Sequence, residues 1–252
     1  MNILFKLLLF FSLLLTTTNT YSADYNATTL ATAYKITITR IQLCETGSTT
    51  ASCLNPVELY NGTSGSIDIA STEAGQAAAS LGNASKAEFG KSYTHMQVTM
   101  SRSVTIQGGK AAMSTGSQAC YTNGTAGTAS QSALGSTSSG NLADTTVYMA
   151  IAGTTDNGDN INSVNAADGT GTAASTGTIT SGHEYLEWRG ALTSPFKPTP
   201  GDMPTIKLAF GTANALGFYN PNTTTNDCDT RAAGATTTGF YAAEPDVTMT
   251  FE

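Results

Sequence analysis

Histidines and neighbouring carboxylates are the residues of this 252-residue chain whose types could support catalysis. The chain has two histidines, His95 and His183. A serine hydrolase needs a base beside its nucleophile and donors for the oxyanion, and the G-x-S-x-G pattern of many such nucleophiles is absent. His95 takes an outward, polar position of an alternating segment, which is typical of a solvated strand residue. The sequence therefore predicts no catalytic residues.

The segment from His183 to Trp188 contains the residues that come nearest to a known catalytic or metal-binding motif. It begins like the zinc-protease motif H-E-x-x-H, but Glu187 stands where the motif has its second histidine, so no zinc site can form locally. Glu184 and Glu187 are also the best pair of carboxylates for sugar hydrolysis. On a strand they point to opposite faces, which favours an exposed acidic strand at the rim. Trp188 shares its parity with Leu186, so we predict that it lies in the core and is not a sugar platform.

A cluster of oxygen ligands runs from Asp156 to Asn162. Ca²⁺ prefers such ligands, and Asp156 and Asp159 are the calcium candidates. The cluster lacks the spacing and the closing Glu of an EF-hand, so a turn rich in Asn and Asp is the preferred interpretation. We predict neither a metal nor another cofactor, with calcium as the alternative.

The first 23 residues form the pattern of a secretory signal peptide. Lys6 precedes an apolar run that is too short to span a bilayer, and cleavage is expected after Ser22 or after Ala23. No cysteine stands at the expected cleavage site, where a bacterial lipoprotein carries its lipid-modified cysteine, and the C-terminus has no hydrophobic tail that could serve as an anchor. We therefore expect export, a mature domain spanning 24–252, and no membrane span after cleavage.

The chain has four cysteines, and an even number of cysteines in a protein that is expected to be exported indicates disulfides. Three pairings are possible. Cys44 and Cys53 flank a turn-rich insert between two strand-like runs, so we favour that pair, which leaves Cys120 to reach Cys228. Zinc is disfavoured because no C-x-x-C occurs.

Charged residues make up only 12% of the chain, about half of the usual share, and the formal net charge is -7. Lys and Arg are scattered singly, so nothing neutralises a phosphate backbone and nucleic acid is excluded as a partner. The acidic balance also fits poorly with an anionic membrane surface. Hydroxyl-rich faces joined by Gly, Asn and Ser turns are typical of an extracellular β protein.

Alternation is clearest in the segment 93–107, where Met96, Val98 and Met100 define one buried face of a strand. Arg102 interrupts the parity, which indicates a bend, a bulge or the point where the strand leaves the core, and Gly108 ends it. In the segment 34–44 the parity shifts as a bulge near Arg40 would produce. Further strands are predicted at 57–60, 66–70, 145–152, 184–188, 205–210, 239–242 and 247–251, and one short helix at 71–81.

About nine strands separated by turn signals favour an all-β fold, an antiparallel β-sandwich that is immunoglobulin-like or a related Greek key. Two low-complexity stretches, 108–143 and 153–182, are longer than the loops of compact domains usually are. We interpret them as long surface loops or hairpin extensions.

The C-terminal segment alternates through Val247, Met249 and Phe251, with Gly239 placed 14 residues from the end. This pattern resembles the C-terminal strand of chaperone-usher pilins. In that family the strand helps to bind a chaperone, and an N-terminal extension completes the sandwich of a neighbour. The resemblance implies assembly by strand addition, with those three residues in the assembly strand and 23–30 as a candidate donor. Pro245 and the cysteine arrangement depart from the family.

The leading hypothesis is an exported, non-enzymatic structural or adhesive protein of the cell surface, with a fibre or pilus-type subunit as its more specific form. Its partners would be itself or other surface subunits, or glycans. The alternative is a secreted module that binds glycans or calcium through the two long loops. A secreted hydrolase that uses His183 and Glu184 comes third.

Overall fold

The computed structural model describes residues 27–70, 83–110, 119–149, 164–167, 181–201, 206–219, 228–229, 239–243 and 245–251. Within these ranges the chain consists of strands joined by turns, with two short 3-10 helices at Ala84–Lys86 and Ser139–Asn141. The predicted all-β, antiparallel fold class is confirmed. The expected signal peptide at 1–23 and the expected helix at 71–81 lie outside the described residues.

The described part of the chain contains more strands than the nine or so expected, because several have only two to four residues and show no alternation. In chain order they are β1 (Ala27–Thr29), β2 (Ala31–Ile36), β3 (Ile38–Glu45), β4 (Val57–Asn61), β5 (Ile67–Asp68), β6 (Tyr93–Ser101), β7 (Ser103–Lys110), β8 (Cys120–Thr122), β9 (Gly135–Ser136), β10 (Thr145–Tyr148), β11 (Val164–Ala167), β12 (Tyr185–Phe196), β13 (Ile206–Gly211), β14 (Leu216–Tyr219), β15 (Gly239–Ala242) and β16 (Asp246–Phe251).

Two larger sheets form a sandwich-like body. The five-stranded sheet has the order β11-β12-β6-β3-β4, and the six-stranded sheet has the order β5-β2-β7-β8-β9 with β10 beside β7. Two smaller sheets, β1-β14-β15 and β13-β16, pack with them. One hydrophobic core joins the larger sheets, with Tyr34 and Ile106 from the six-stranded sheet and Met96 and Leu186 from the five-stranded sheet.

The two longest alternating segments cross from one large sheet to the other. The segment 93–107 is two strands that meet at Arg102, since β6 pairs with β3 and β7 pairs with β2. The segment 34–44 divides in the same way at Thr37, between β2 and β3. Packed sheets commonly share strands that change sheet at a bend. The predicted bend at Arg102 and the predicted bulge near Arg40, where the register shifts, are confirmed.

One local prediction is wrong, since Gly108 does not end the strand: β7 continues to Lys110 and pairs with β8. Of the alternatives for Arg102, emergence from the core is excluded, because the residue is 0% exposed. Of the two interpretations of 108–143, the described part shows the hairpin extension, in which β8 pairs with β7 and β9, and it buries Thr122 and Ala133. In the stretch 153–182, β11 pairs with β12 at the edge of the five-stranded sheet.

Candidate functional site

The two bends lie side by side at one corner of the sandwich. The Ser101 amide donates a hydrogen bond to the Thr37 carbonyl, with N and O 2.8 Å apart. The Arg102 amide donates to the Glu184 carbonyl at 2.8 Å, and the Met149 amide donates to the Arg102 carbonyl at 2.9 Å. Four segments that are far apart in sequence are therefore tied together by backbone hydrogen bonds at this corner.

A groove of about 420 Å³ opens at the corner, and this volume lies within the range of about 300–1,000 Å³ that ligand pockets usually show. Half of its lining residues carry aliphatic hydroxyls, namely Thr37, Thr39, Thr63, Ser101, Ser103 and Ser181. Tyr148 lines it from the end of β10, and Tyr185 lines it from the start of β12. The two tyrosines therefore come from different sheets and meet at one groove.

Arg102 supports the groove from below. Its Nη2 donates to the Ala129 carbonyl at 3.4 Å, and its guanidinium carbon lies 5.3 Å from the ring centroid of Tyr148. Burial lowers the pKa of Arg102 below its usual value, and the nearby Tyr148 opposes that effect in part. Arg102 is fully buried, so it does not present its guanidinium to a ligand. It instead holds the Tyr148 ring and the Ala129 carbonyl in place.

Three further polar groups of the groove lie at the start of β12 and directly before it. Glu184 is exposed, whereas His183 and Tyr185 are half-buried. Glu184 precedes the first residue of the strand, and its exposure at the rim is as predicted. Together these groups offer a carboxylate, an imidazole and phenol hydroxyls beside a row of aliphatic hydroxyls, which is a chemistry suited to hydrogen bonding with a polar ligand.

Glu187 corrects the prediction that both acids lie on an exposed rim. It is only 3% exposed and lies on the face of β12 that points away from the core residue Leu186. Arg40 Nη2 donates to Glu187 Oε1 at 2.8 Å, and Arg189 Nη2 donates to Glu187 Oε2 at 3.0 Å. Two cations cover the carboxylate, which is why it can be buried.

Glutamines complete this buried network on the outer face of the five-stranded sheet. Gln97 Nε2 donates to Gln42 Oε1 at 2.7 Å and to Glu187 Oε1 at 3.3 Å, while Arg189 Nε donates to Gln97 Oε1. Burial lowers the pKa of Arg189, and Glu187 offsets part of that effect. Gln97 and Thr99 are buried, so the expectation that β6 buries a single face is wrong over its centre.

Both disulfides are present in the predicted pairing, Cys44 with Cys53 and Cys120 with Cys228. Cys44 lies on β3, and the first disulfide closes a loop that reaches the buried network. There the Thr50 carbonyl accepts a hydrogen bond from Arg189 Nη1 at 3.5 Å. The first disulfide therefore restrains the loop that contacts Arg189 of the buried network. The second disulfide links β8 to the turn at 228–229.

The predicted assembly strand corresponds to β16, which pairs with β13 along its whole length. Met249 is buried, and the Phe251 ring stacks on Phe196 with centroids 4.0 Å apart. The Met249 carbonyl accepts a hydrogen bond from Thr193 Oγ1 at 2.8 Å. The described part of the candidate donor segment, Ala27–Thr29, pairs with β14 of its own chain.

The calcium candidates and His95 are not part of the corner groove as the structure describes it. Asp156 and Asp159, the calcium candidates, lie outside the described residues. His95 is half-buried on β6 beside the Thr94 hydroxyl, with Nδ1 and Oγ1 3.0 Å apart, and burial lowers its pKa.

The part of the chain that the structure describes holds no group of three His, Cys, Asp or Glu residues able to bind a metal. It also shows no helix with the length and apolar character needed to cross a membrane.

A second cavity, of about 50 Å³, lies inside the core. Its lining is almost entirely apolar and includes Trp188, Val98 and Val247, so the predicted core position of Trp188 agrees with the structure. Ligand pockets are usually several hundred Å³, so this space is a packing gap and the corner groove is the better candidate site.

Comparison with known proteins finds no matching family model, no similar curated protein and no similar solved structure. The candidate site therefore depends on geometry and chemistry. Sequence reasoning paired His183 with Glu184 and singled out Arg102 separately, without linking it to them. It missed the hydroxyl row and the role of Tyr148, since their meeting depends on where two strands change sheet.

Proposed function

We propose that this chain is an exported, non-enzymatic protein of the cell surface that works by adhesion, with the corner groove as its contact site. The signal-peptide pattern at 1–23 and the low charge support export and surface exposure. The disulfides Cys44–Cys53 and Cys120–Cys228 are compatible with an oxidising compartment.

The observation that carries the proposal is the construction of the groove. Backbone hydrogen bonds at Thr37, Arg102 and Met149 hold its walls, and its accessible surface consists of hydroxyls, tyrosines, one imidazole and one carboxylate. Adhesion requires several polar contacts held in a fixed arrangement, because preorganisation lowers the entropy cost of binding. It does not require an activated nucleophile.

The test uses intact cells of the source organism and the purified mature chain. An antibody against the chain should label cells without permeabilisation, and beads coated with the mature protein should adhere to cells or to a natural surface. Tyr185→Ala should reduce the adhesion, whereas Phe89→Ala, at an aromatic residue that is 64% exposed away from the groove, should not. Absence of surface labelling, or equal adhesion of both variants, would contradict the proposal.

Assembly into fibres is a second candidate, and it rests on the resemblance of the pattern at Val247, Met249 and Phe251 to a pilin assembly strand. One edge of β16 pairs with β13, and on the other side the Met249 carbonyl accepts a hydrogen bond from the Thr193 hydroxyl of β12. Strand addition at β16 would therefore have to displace β12, and donation of Ala27–Thr29 would have to release that segment from β14. Filaments or a concentration-dependent ladder of oligomers should appear by electron microscopy and ultracentrifugation. A strictly monomeric mature protein would exclude this assembly.

A further inference from the structure

We propose that the corner groove binds a neutral saccharide of one or two rings, which it holds between the tyrosine side chains and the Glu184 carboxylate. This inference rests on the proposed adhesive function and names the ligand class of the same site. It follows from three properties of the groove, namely its aromatic groups, its charge and its hydroxyls.

The aromatic groups are arranged as walls. Tyr148 ends β10 in the six-stranded sheet, Tyr185 begins β12 in the five-stranded sheet, and both remain half-exposed toward the groove. The Arg102 guanidinium, 5.3 Å from the Tyr148 ring centroid, restrains that ring from the buried side. A tyrosine combines an apolar ring with a hydroxyl, so it can pack on the C–H face of a sugar ring and also bind its hydroxyls.

The charge of the groove favours a neutral ligand over an anionic one. Arg102 lines the groove but has no exposed surface, so its guanidinium cannot donate a hydrogen bond directly to a ligand anion, although its positive charge offsets part of the charge of Glu184. Glu184 is the exposed charged residue in the lining. A sialylated, sulfated or phosphorylated ligand would therefore find no exposed cation in the lining and would meet the Glu184 carboxylate, whereas a neutral polyol can donate two hydroxyls to that carboxylate.

The hydroxyl row provides the remaining contacts. Thr37, Ser101 and Ser103 lie at the two bends, so their positions are set by the backbone hydrogen bonds that tie the corner together. Each hydroxyl is both a donor and an acceptor, which matches the hydroxyls of a sugar. A volume of about 420 Å³ suits one or two rings and not a long chain.

Saturation-transfer NMR and calorimetry on the purified mature protein can test this inference. The neutral probes are methyl β-galactoside, methyl α-mannoside, lactose and cellobiose, and the anionic probes are 3′-sialyllactose and glucuronic acid. At least one neutral probe should bind with a Kd on the order of 1 mM, a weak affinity expected for a small open site. Within the related pair, lactose should bind at least as tightly as 3′-sialyllactose.

Two variants and two matched controls locate the binding. Tyr185→Ala and Glu184→Gln should each weaken it about tenfold, since removal of an aromatic anchor or a charged acceptor typically costs over 1 kcal/mol. Tyr185→Phe should retain most of the binding because it keeps the ring. Phe89→Ala and Glu88→Gln, both at exposed residues outside the groove lining, should leave it unchanged.

The outcomes separate this inference from the adhesive function. Silence of all neutral probes, tighter binding of 3′-sialyllactose than of lactose, or undiminished binding in folded Tyr185→Ala would overturn the neutral saccharide. If adhesion of coated beads still depends on Tyr185 in that case, the adhesive function stands with another ligand. Conversely, saccharide binding without any adhesion would support the ligand class and overturn the adhesive function.

Discussion

Glu184 and Glu187 lie three residues apart, yet they belong to regions that use charge in opposite ways. On the outer face of the five-stranded sheet, Glu187 is enclosed by Arg40, Arg189 and Gln97. At the corner groove, Glu184 is exposed, and the nearby guanidinium of Arg102 is buried underneath. In the first region the polar groups satisfy one another, whereas in the second the carboxylate remains open to a ligand.

The difference shows how one chain separates stability from recognition. A buried carboxylate is tolerable only when cations and hydrogen bonds replace its water, so the Glu187 network is sensitive to the loss of any member. An exposed carboxylate keeps its hydration and adds little to stability. The groove can therefore change its accessible residues at low cost, while its buried support at Arg102 keeps its shape.

The largest effect is expected from Glu187→Gln. This change leaves Arg40 and Arg189 without their shared carboxylate, and breaking a buried ion pair typically costs about 3–5 kcal/mol. Because Arg40 is partly exposed, we expect the free energy of unfolding to fall by about 3 kcal/mol, measured by urea denaturation. A loss below 1 kcal/mol would mean that the network adds no more than a surface pair.

A somewhat smaller effect is expected when Cys44 and Cys53 are both replaced by Ser. The bridge spans a sequence separation of 9, and loop-closure entropy predicts a loss of about 2.5 kcal/mol. Since the Thr50 carbonyl contacts Arg189, combining this change with Glu187→Gln should depart from additivity by about 0.5 kcal/mol or more. Strict additivity would show that the loop and the network are independent.

Glu45, next to Cys44, should give a smaller and pH-dependent effect. Its hydrogen bond with Lys91, helped by Asn55, lowers the pKa of Glu45 in the folded protein. The resulting stability is present above the unfolded value of about 4.3 and is lost as pH falls through the folded pKa. Wild type should therefore be slightly more stable than Glu45→Gln at pH 7, with the difference shrinking in acid. A difference that grows below pH 4 would contradict this assignment.

The smallest effect on stability is expected from Glu184→Gln. The side chain is exposed, and the carbonyl that binds the Arg102 amide is unchanged, so the free energy of unfolding should shift by at most about 0.5 kcal/mol. Urea denaturation beside Glu187→Gln gives the direct contrast. If both variants lost the same stability, the distinction between the two regions would fail.

Alternation was sufficient to predict much of the framework. Met96, Val98 and Met100 form the inward face of β6, and the break in parity at Arg102 marks a real bend. Alternation did not reveal that the bend moves the chain into another sheet, nor did it detect the two-residue strand β9. A period of two residues describes a strand and its faces, but it contains no information about which strand lies opposite.

The sequence alone determined the all-β class, the pattern typical of export and the choice of cysteine partners, because these follow from local spacing and composition. Only the tertiary structure decided which glutamate is buried and which groups share the groove. Glu187 meets Arg40 across a separation of 147 residues and Gln97 across 90. The burial of a charge depends on such distant partners and on the water that they displace, so two glutamates that look alike in sequence acquire different roles.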